Sequence, residues 1–304
     1  VPLLTLQRAM RRPVRWPRLV VLLITVATAV ACSGSTPPDS GGAATATPKC
    51  PSGRGPAMAL IAQEGAPTFC MDSTEVTRGQ YRAFVASGEK PAALRELCKA
   101  NVTFEPVSCV VKPPACSGPE CDTLPQVCID YCDAEAFCTW SGKTLCGTDD
   151  GRELSKAELD DHWKNVWLRA CHGLTSPTDT GTLYPYGNTY SPDTCNTADR
   201  ADTGCATSPA TCRLTAAGSL PNCHSRGAYS GVFDLMGNVW EFVYYVEDPS
   251  GPSPSVFYGG APYNVSFAGR VLGCDLGMSP FGAISKQEGT GSISVGFRCC
   301  AVPK

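Results

Sequence analysis

Apolar residues fall in short runs separated by turn formers, and only three stretches carry a helical period. Thr77 and Gln80 have the spacing of a capping box, and Tyr81, Phe84 and Val85 follow on one helical face. A second helix is predicted over about 133–140, where Ala136, Phe137 and Trp140 cluster at helical spacing. A third opens at the capping box of Ser155 and Glu158 and turns Trp163, Val166, Trp167 and Ala170 inward. Strands are predicted at 68–71, 255–258 and 295–300, from β-branched and aromatic residues. The remainder reads as irregular backbone, in keeping with 30 glycines and 26 prolines. The fold class is therefore α+β with little regular structure. No internal repeat is apparent.

Residues 1–31 have the pattern of a lipoprotein signal peptide. Arg8, Arg11, Arg12, Arg15 and Arg18 precede an apolar run over 19–30, and Ala29-Val30-Ala31-Cys32 follows. The run is too short to span a bilayer comfortably as a mature helix. Cys32 is the lipidation candidate, although Ala29 is a less usual residue at its place and simple secretion also fits. Ser33 is not an acidic retention residue, which favours the outer membrane of a bacterial envelope. Residues 32–49 are mostly Ser, Gly, Thr, Ala and Pro and read as a flexible tether. Residues 50–304 suit one large domain.

The chain has 19 cysteines, of which eighteen follow Cys32. An even set in an exported chain points to a disulfide framework, which a loop-rich domain needs. Cys98, Cys109, Cys116 and Cys121 lie in an insertion at about 89–125, and their spacing lacks the close pair of a zinc knuckle. Cys299 and Cys300 point to opposite faces if extended, so they are predicted to make two separate bonds. A bond between Cys70 and Cys300 is expected if the first and last strands lie side by side. Net charge is −3 without a basic stripe, which argues against a nucleic-acid partner.

Several blocks then occur in one order. They are Cys70-Met71-Asp72-Ser73-Thr74-Glu75-Val76-Thr77, Ile129-Asp130-Tyr131-Cys132-Asp133-Ala134, Phe137-Cys138-Thr139-Trp140, Tyr184-Pro185-Tyr186-Gly187-Asn188, Phe233-Asp234-Leu235-Met236-Gly237-Asn238-Val239-Trp240-Glu241, Gly259-Gly260 and Gly296-Phe297-Arg298-Cys299. Together they resemble the sulfatase-modifying-factor family, typified by the formylglycine-generating enzyme. The resemblance implies a fold distantly similar to C-type lectins. It also implies the disulfides Cys138–Cys299 and Cys171–Cys274. A structural calcium is implied at Asp234, Gly237, Val239 and Glu241, the outer two through carboxylates and the inner two through carbonyls. A weaker second calcium is implied at Asn196 and Thr197, with Asp202 as the available acid.

The family's enzymes oxidise a sulfatase cysteine to formylglycine with oxygen and a copper ion held by two thiolates. Soft thiolates are what select Cu(I). With Cys274 as the downstream disulfide cysteine, the two thiolate positions fall on Asn264 and Gly269, and Ala261 replaces the active-site serine. Copper is therefore not expected. The three histidines, His162, His172 and His224, carry no catalytic signature, and His162 is placed on the polar side of its helix beside Asp160 and Asp161. The expected protein is a non-catalytic, lipid-anchored monomer that binds a peptide or glycan at the cell envelope. The alternative is a protein-modifying oxidoreductase of the formylglycine-generating type that acts on exported proteins.

Overall fold

The computed structural model describes residues 47–304 apart from 92–93, 100, 102, 107–115, 117, 201–212, 247–254, 259–272, 276 and 283–294. The leader with Cys32, most of the tether, Cys109, Asp202, Ala261, Asn264 and Gly269 lie outside the described residues. Helix α1 (Arg78–Ser87) starts at the capping box of Thr77 and Gln80 and ends at Gly88, whose left-handed φ of 65° stops the turn. Helix α2 (Tyr131–Trp140) starts two residues before the predicted boundary, because Asp130 and Asp133 form a second capping box. Tyr131 through Cys138 are all buried, so α2 is a core helix.

The predicted third helix is two helices, α3 (Lys156–Leu159) and α4 (Val166–His172). Polar side chains break it. The Asp161 carboxylate accepts the backbone N–H groups of Trp163 and Lys164, and Asn165 caps α4 by accepting from Trp167 and Leu168. These short bonds offer the backbone an alternative to a continuous helix.

Among the described residues, two four-stranded sheets complete the domain. One has the order β1-β2-β8-β3, from β1 (Met58–Ile61), β2 (Phe69–Asp72), β3 (Thr144–Leu145) and β8 (Cys299–Ala301). The other has the order β6-β5-β4-β7, from β4 (Trp240–Val246), β5 (Ser255–Tyr258), β6 (Gly277–Gly282) and β7 (Val295–Phe297). The predicted strand over 295–300 is thus split. Val295–Phe297 runs parallel to β4, and after Arg298 the chain enters the other sheet between β2 and β3.

Strand alternation on β8 divides the core. Cys299 belongs to the apolar cluster around Tyr81, Phe84, Phe137 and Phe297, whereas Cys300 belongs to the one around Phe69, Trp167 and Val243. Accordingly Cys299 bonds Cys138 of α2, and Cys300 bonds Cys146 just after β3. The expected Cys70–Cys300 bond does not form, although β2 and β8 are neighbours. Their register sets Met71 opposite Cys300 and Cys70 opposite Ala301, so the two sulfurs face opposite sides of the sheet. Cys70 bonds Cys50 instead. Cys171 bonds Cys274, and Cys195 bonds Cys223. Within the insertion Cys116 bonds Cys121, while Cys98 ties it to Cys132 of α2.

Candidate functional site

The loop from Phe233 into β4 adopts a backbone that side chains rarely tolerate. Asp234, Gly237 and Asn238 all have positive φ, at 58°, 80° and 59°. Gly237 is required for a second reason: a Cβ there would lie 2.5 Å from the Asn196 carbonyl oxygen. The close approach lets the Asn238 N–H donate to that carbonyl at 2.8 Å.

Around this loop lies a set of fully buried polar groups. The Asn238 amide donates to Glu75 Oε1 at 2.9 Å, and its oxygen accepts from Asn196 Nδ2 at 2.9 Å and from the Thr215 N–H at 3.0 Å. Asp234 accepts from the Gly218 N–H at 2.6 Å and hydrogen-bonds the Glu75 carboxyl. Two carboxyls in contact within a dry interior cannot both ionise cheaply. Burial, opposed mainly by the Gly218 N–H, pushes Asp234 up to about 6. Burial and the nearby Asp234 push Glu75 well above the ordinary carboxylate range. Glu75 Oε2 is buried and has no hydrogen-bond partner.

Glu241 is held differently. Arg298 Nε donates to Oε2 at 2.6 Å, Arg298 Nη2 donates to Oε1 at 2.7 Å, and Trp167 Nε1 adds a bond to Oε2 at 2.8 Å. The remaining guanidinium protons reach the carbonyls of Asp72 and Phe233 at 3.1 and 2.8 Å. Arg298 therefore stands where the chain passes between sheets and ties β4, β2 and the Asp234 loop together. Asp72 Oδ1 accepts from Lys143 at 2.5 Å and Asp72 Oδ2 from the Cys299 N–H at 2.9 Å. Burial outweighs Lys143 and raises Asp72 to about 6.

The residues named for calcium share this loop, but they do not assemble as an ion site. Calcium takes six to eight oxygens, carboxylates prominent among them. Here the Glu241 carboxylate is spent on a guanidinium and an indole, and Asp234 on Glu75 and Gly218. The positive charge an ion would bring to Glu241 is already supplied by Arg298. Asn196 joins the same network and keeps a buried, unbonded Oδ1, while Thr197 is buried beside Tyr190. As arranged, these residues do not fit the implied ion.

Glu75, Trp167, Asn238 and Arg298 complete the network, and a reading of chain spacing misses their joint role. Glu75, Asn238 and Arg298 stand in the quoted blocks, yet Glu75 and Arg298 are far apart in sequence, and Trp167 lies outside every block. His162 departs from expectation: it lies in the turn before α4, and its Nε2 meets Asp275 rather than water alone. His224 Nδ1 donates to the Ser225 carbonyl at 2.6 Å, and the ring packs on Phe233.

A family described as the sulfatase-modifying factor enzyme 1-like domain matches residues 42–302. A mouse protein, "Inactive C-alpha-formylglycine-generating enzyme 2", is 27% identical over 190 residues, which cover 59% of this chain and 49% of that protein. The chain thus spans about half the length of this curated relative. Among solved structures, CarF aligns with a TM-score of 0.45 at 17% identity, over 83% of this chain and 96% of its own. PvdO from Pseudomonas aeruginosa aligns with a TM-score of 0.43 at 19% identity, over 81% and 90%. The family match runs across both sheets, every helix and the buried network around Arg298, and on that extent this chain belongs to the sulfatase-modifying factor family.

Proposed function

We propose that this protein is an exported, lipid-anchored, non-catalytic member of its family that binds a peptide or glycan at the bacterial cell envelope. The observation that carries the reading is the Cys171–Cys274 disulfide. That bond occupies Cys274, and counting back from it puts Asn264 and Gly269 at the family's two thiolate positions. Neither residue can supply the soft ligand that Cu(I) requires. Among the described residues every cysteine is spent on a disulfide, so none of them offers a substitute thiolate. The mouse relative is itself named inactive, in line with this reading.

The buried network does not replace the missing chemistry. Glu75, Glu241, Asn238 and Arg298 are all wholly shielded from solvent, so the network positions the fold and does not meet a substrate. A ligand needs an open surface. Beside α1 the structure has a cleft of about 440 Å³, bounded by Arg78, Arg82, Val85, Glu105 and Gln126. Its size and mixed lining suit a short peptide or a few sugar units. The leader, Cys32 and the disulfide density support export and anchoring.

Copper chemistry is the test. The purified protein, given Cu(I), oxygen and a cysteine peptide of the sulfatase type, is expected to bind no stoichiometric copper and to form no aldehyde. Turnover would replace this reading with that of a protein-modifying oxidoreductase. Titration with defined peptides and envelope glycans tests the binding half. Loss of affinity in Val85→Glu, which fills the cleft, is the expected result. Metabolic labelling with palmitate, lost in Cys32→Ser, tests the anchor.

A further inference from the structure

A second polar cluster lies away from the Arg298 network and uses two of the chain's three histidines. His162 Nε2 stands 2.7 Å and His172 Nε2 3.0 Å from the same oxygen, Asp275 Oδ1. The two rings stack with centroids 4.2 Å apart and planes 17° from parallel, so both present the same edge to the carboxylate. The three ligating atoms all lie within 4.8 Å of one another.

The surroundings are built to hold this arrangement. His172 Nδ1 faces the Thr182 carbonyl at 2.8 Å. A carbonyl only accepts, so Nδ1 carries the proton, and the neutral ring directs the Nε2 lone pair at Asp275. That outer contact is the one that commonly fixes a metal-binding imidazole in its ligating tautomer. Gly181 makes it possible: a Cβ at that position would lie 2.5 Å from the His172 carbonyl oxygen. The Cys171–Cys274 disulfide immediately precedes both His172 and Asp275 and fixes their separation. The Asp161 carboxylate, accepting two backbone N–H groups, sets the turn that carries His162.

Asp275 Oδ1 only accepts, and with its Nδ1 proton given to Thr182 the neutral His172 offers that oxygen only a lone pair at 3.0 Å, so the contact calls for a cation between them, a proton or a metal ion. His162 Nε2 meets the same oxygen at 2.7 Å. We infer that His162, His172 and Asp275 form a site for a divalent transition-metal ion of the zinc class. Two nitrogens and one oxygen are the borderline donors that zinc takes, whereas calcium requires oxygens throughout and Cu(I) prefers thiolates. His172 is buried at 3% exposure, while His162 and Asp275 are open at 40% and 61% on their side chains. The ion would thus keep coordination positions on the solvent side for water or a small ligand, as three-ligand zinc sites do. The site uses no thiol, so it is independent of the copper question.

The test uses the full disulfide-bonded protein after treatment with chelator, titrated calorimetrically with Zn²⁺ alone and spectroscopically with Co²⁺. One ion per chain is expected, with visible Co²⁺ bands of a nitrogen-and-oxygen site. His162→Gln and Asp275→Asn change exposed side chains and leave the fold intact by circular dichroism. Each is expected to weaken Zn²⁺ binding by more than the roughly tenfold loss typical of an outer-shell change. His224→Gln should bind as the unmodified protein does. Absence of saturable binding, or binding that persists unchanged in His162→Gln, would show that a proton alone occupies the cluster and would overturn the inference.

Discussion

Glu241→Gln isolates what the buried ion pair contributes. In the native protein Arg298 and Glu241 are both fully buried, and two charge-assisted bonds of 2.6 and 2.7 Å join them. Glutamine keeps the shape but leaves the guanidinium without its counter-charge. Breaking a buried pair from one side typically costs about 3–5 kcal/mol. The lower figure should apply above pH 7, because Asp234 feels Arg298, is raised only to about 6 and has lost its proton there, which compensates. Near pH 5 that proton stays, and the cost should approach about 5 kcal/mol. Urea denaturation with disulfides intact measures both values. The double variant Glu241→Leu, Arg298→Met should recover most of the loss, because an apolar pair carries no desolvation cost. Chelator should leave the midpoint of the unmodified protein unchanged. A loss under about 1 kcal/mol in Glu241→Gln, well below that range, would refute the reasoning. So would a chelator-induced drop of the same size as the mutation, since Glu241 would then be serving a cation.

Glu75 and Asp234 also make stability depend on pH. Both folded pKa values lie above the ordinary ones, so folding takes up protons; for Asp234 the stability gained below about pH 4 is lost as pH rises through about 6. For Asp234 the change amounts to about 3 kcal/mol. Asp234→Asn should flatten this slope between pH 4 and 7, in urea midpoints taken across the range; an unchanged slope would place the titration elsewhere. Among the disulfides, Cys146–Cys300 spans 154 residues and Cys116–Cys121 spans 5. Replacing each pair by alanines should cost about 5 and about 2 kcal/mol respectively, on loop entropy. Thermal melts that rank the two in the opposite order would show that native packing, not chain closure, sets their worth.

Much of the scaffold was legible along the chain. The capping box at Thr77 is local and places the start of α1, whereas the box of Asp130 and Asp133 went unread and α2 begins two residues before the predicted boundary. The pairings of Cys138 and Cys171 came from resemblance, since spacing alone leaves cysteine connectivity open. What escaped the reading depends on contacts between distant segments. Nothing near Arg298 announces that the chain changes sheets there; the change follows from the separate pairings of β7 and β8. The break between α3 and α4 reflects Asp161 and Asn165 bonding to nearby N–H groups, a competition that apolar periodicity does not register. His172 and Asp275 could have been placed together from the Cys171–Cys274 pair, but His162 could not, because its position depends on that same break.

The pairing pattern of β8 has a consequence for biogenesis. Cys299 and Cys300 find partners 161 and 154 residues back; in the export proposed above, several other cysteines would enter an oxidising compartment between them and those partners. Oxidation in order of emergence would join neighbours such as Cys138 and Cys146 and so close both cores wrongly. Reaching the native set therefore requires thiol–disulfide exchange after both β8 cysteines have arrived, on the timescale of reshuffling rather than of collapse. Yield in a secretion host should accordingly depend on its disulfide isomerase more than on its oxidase.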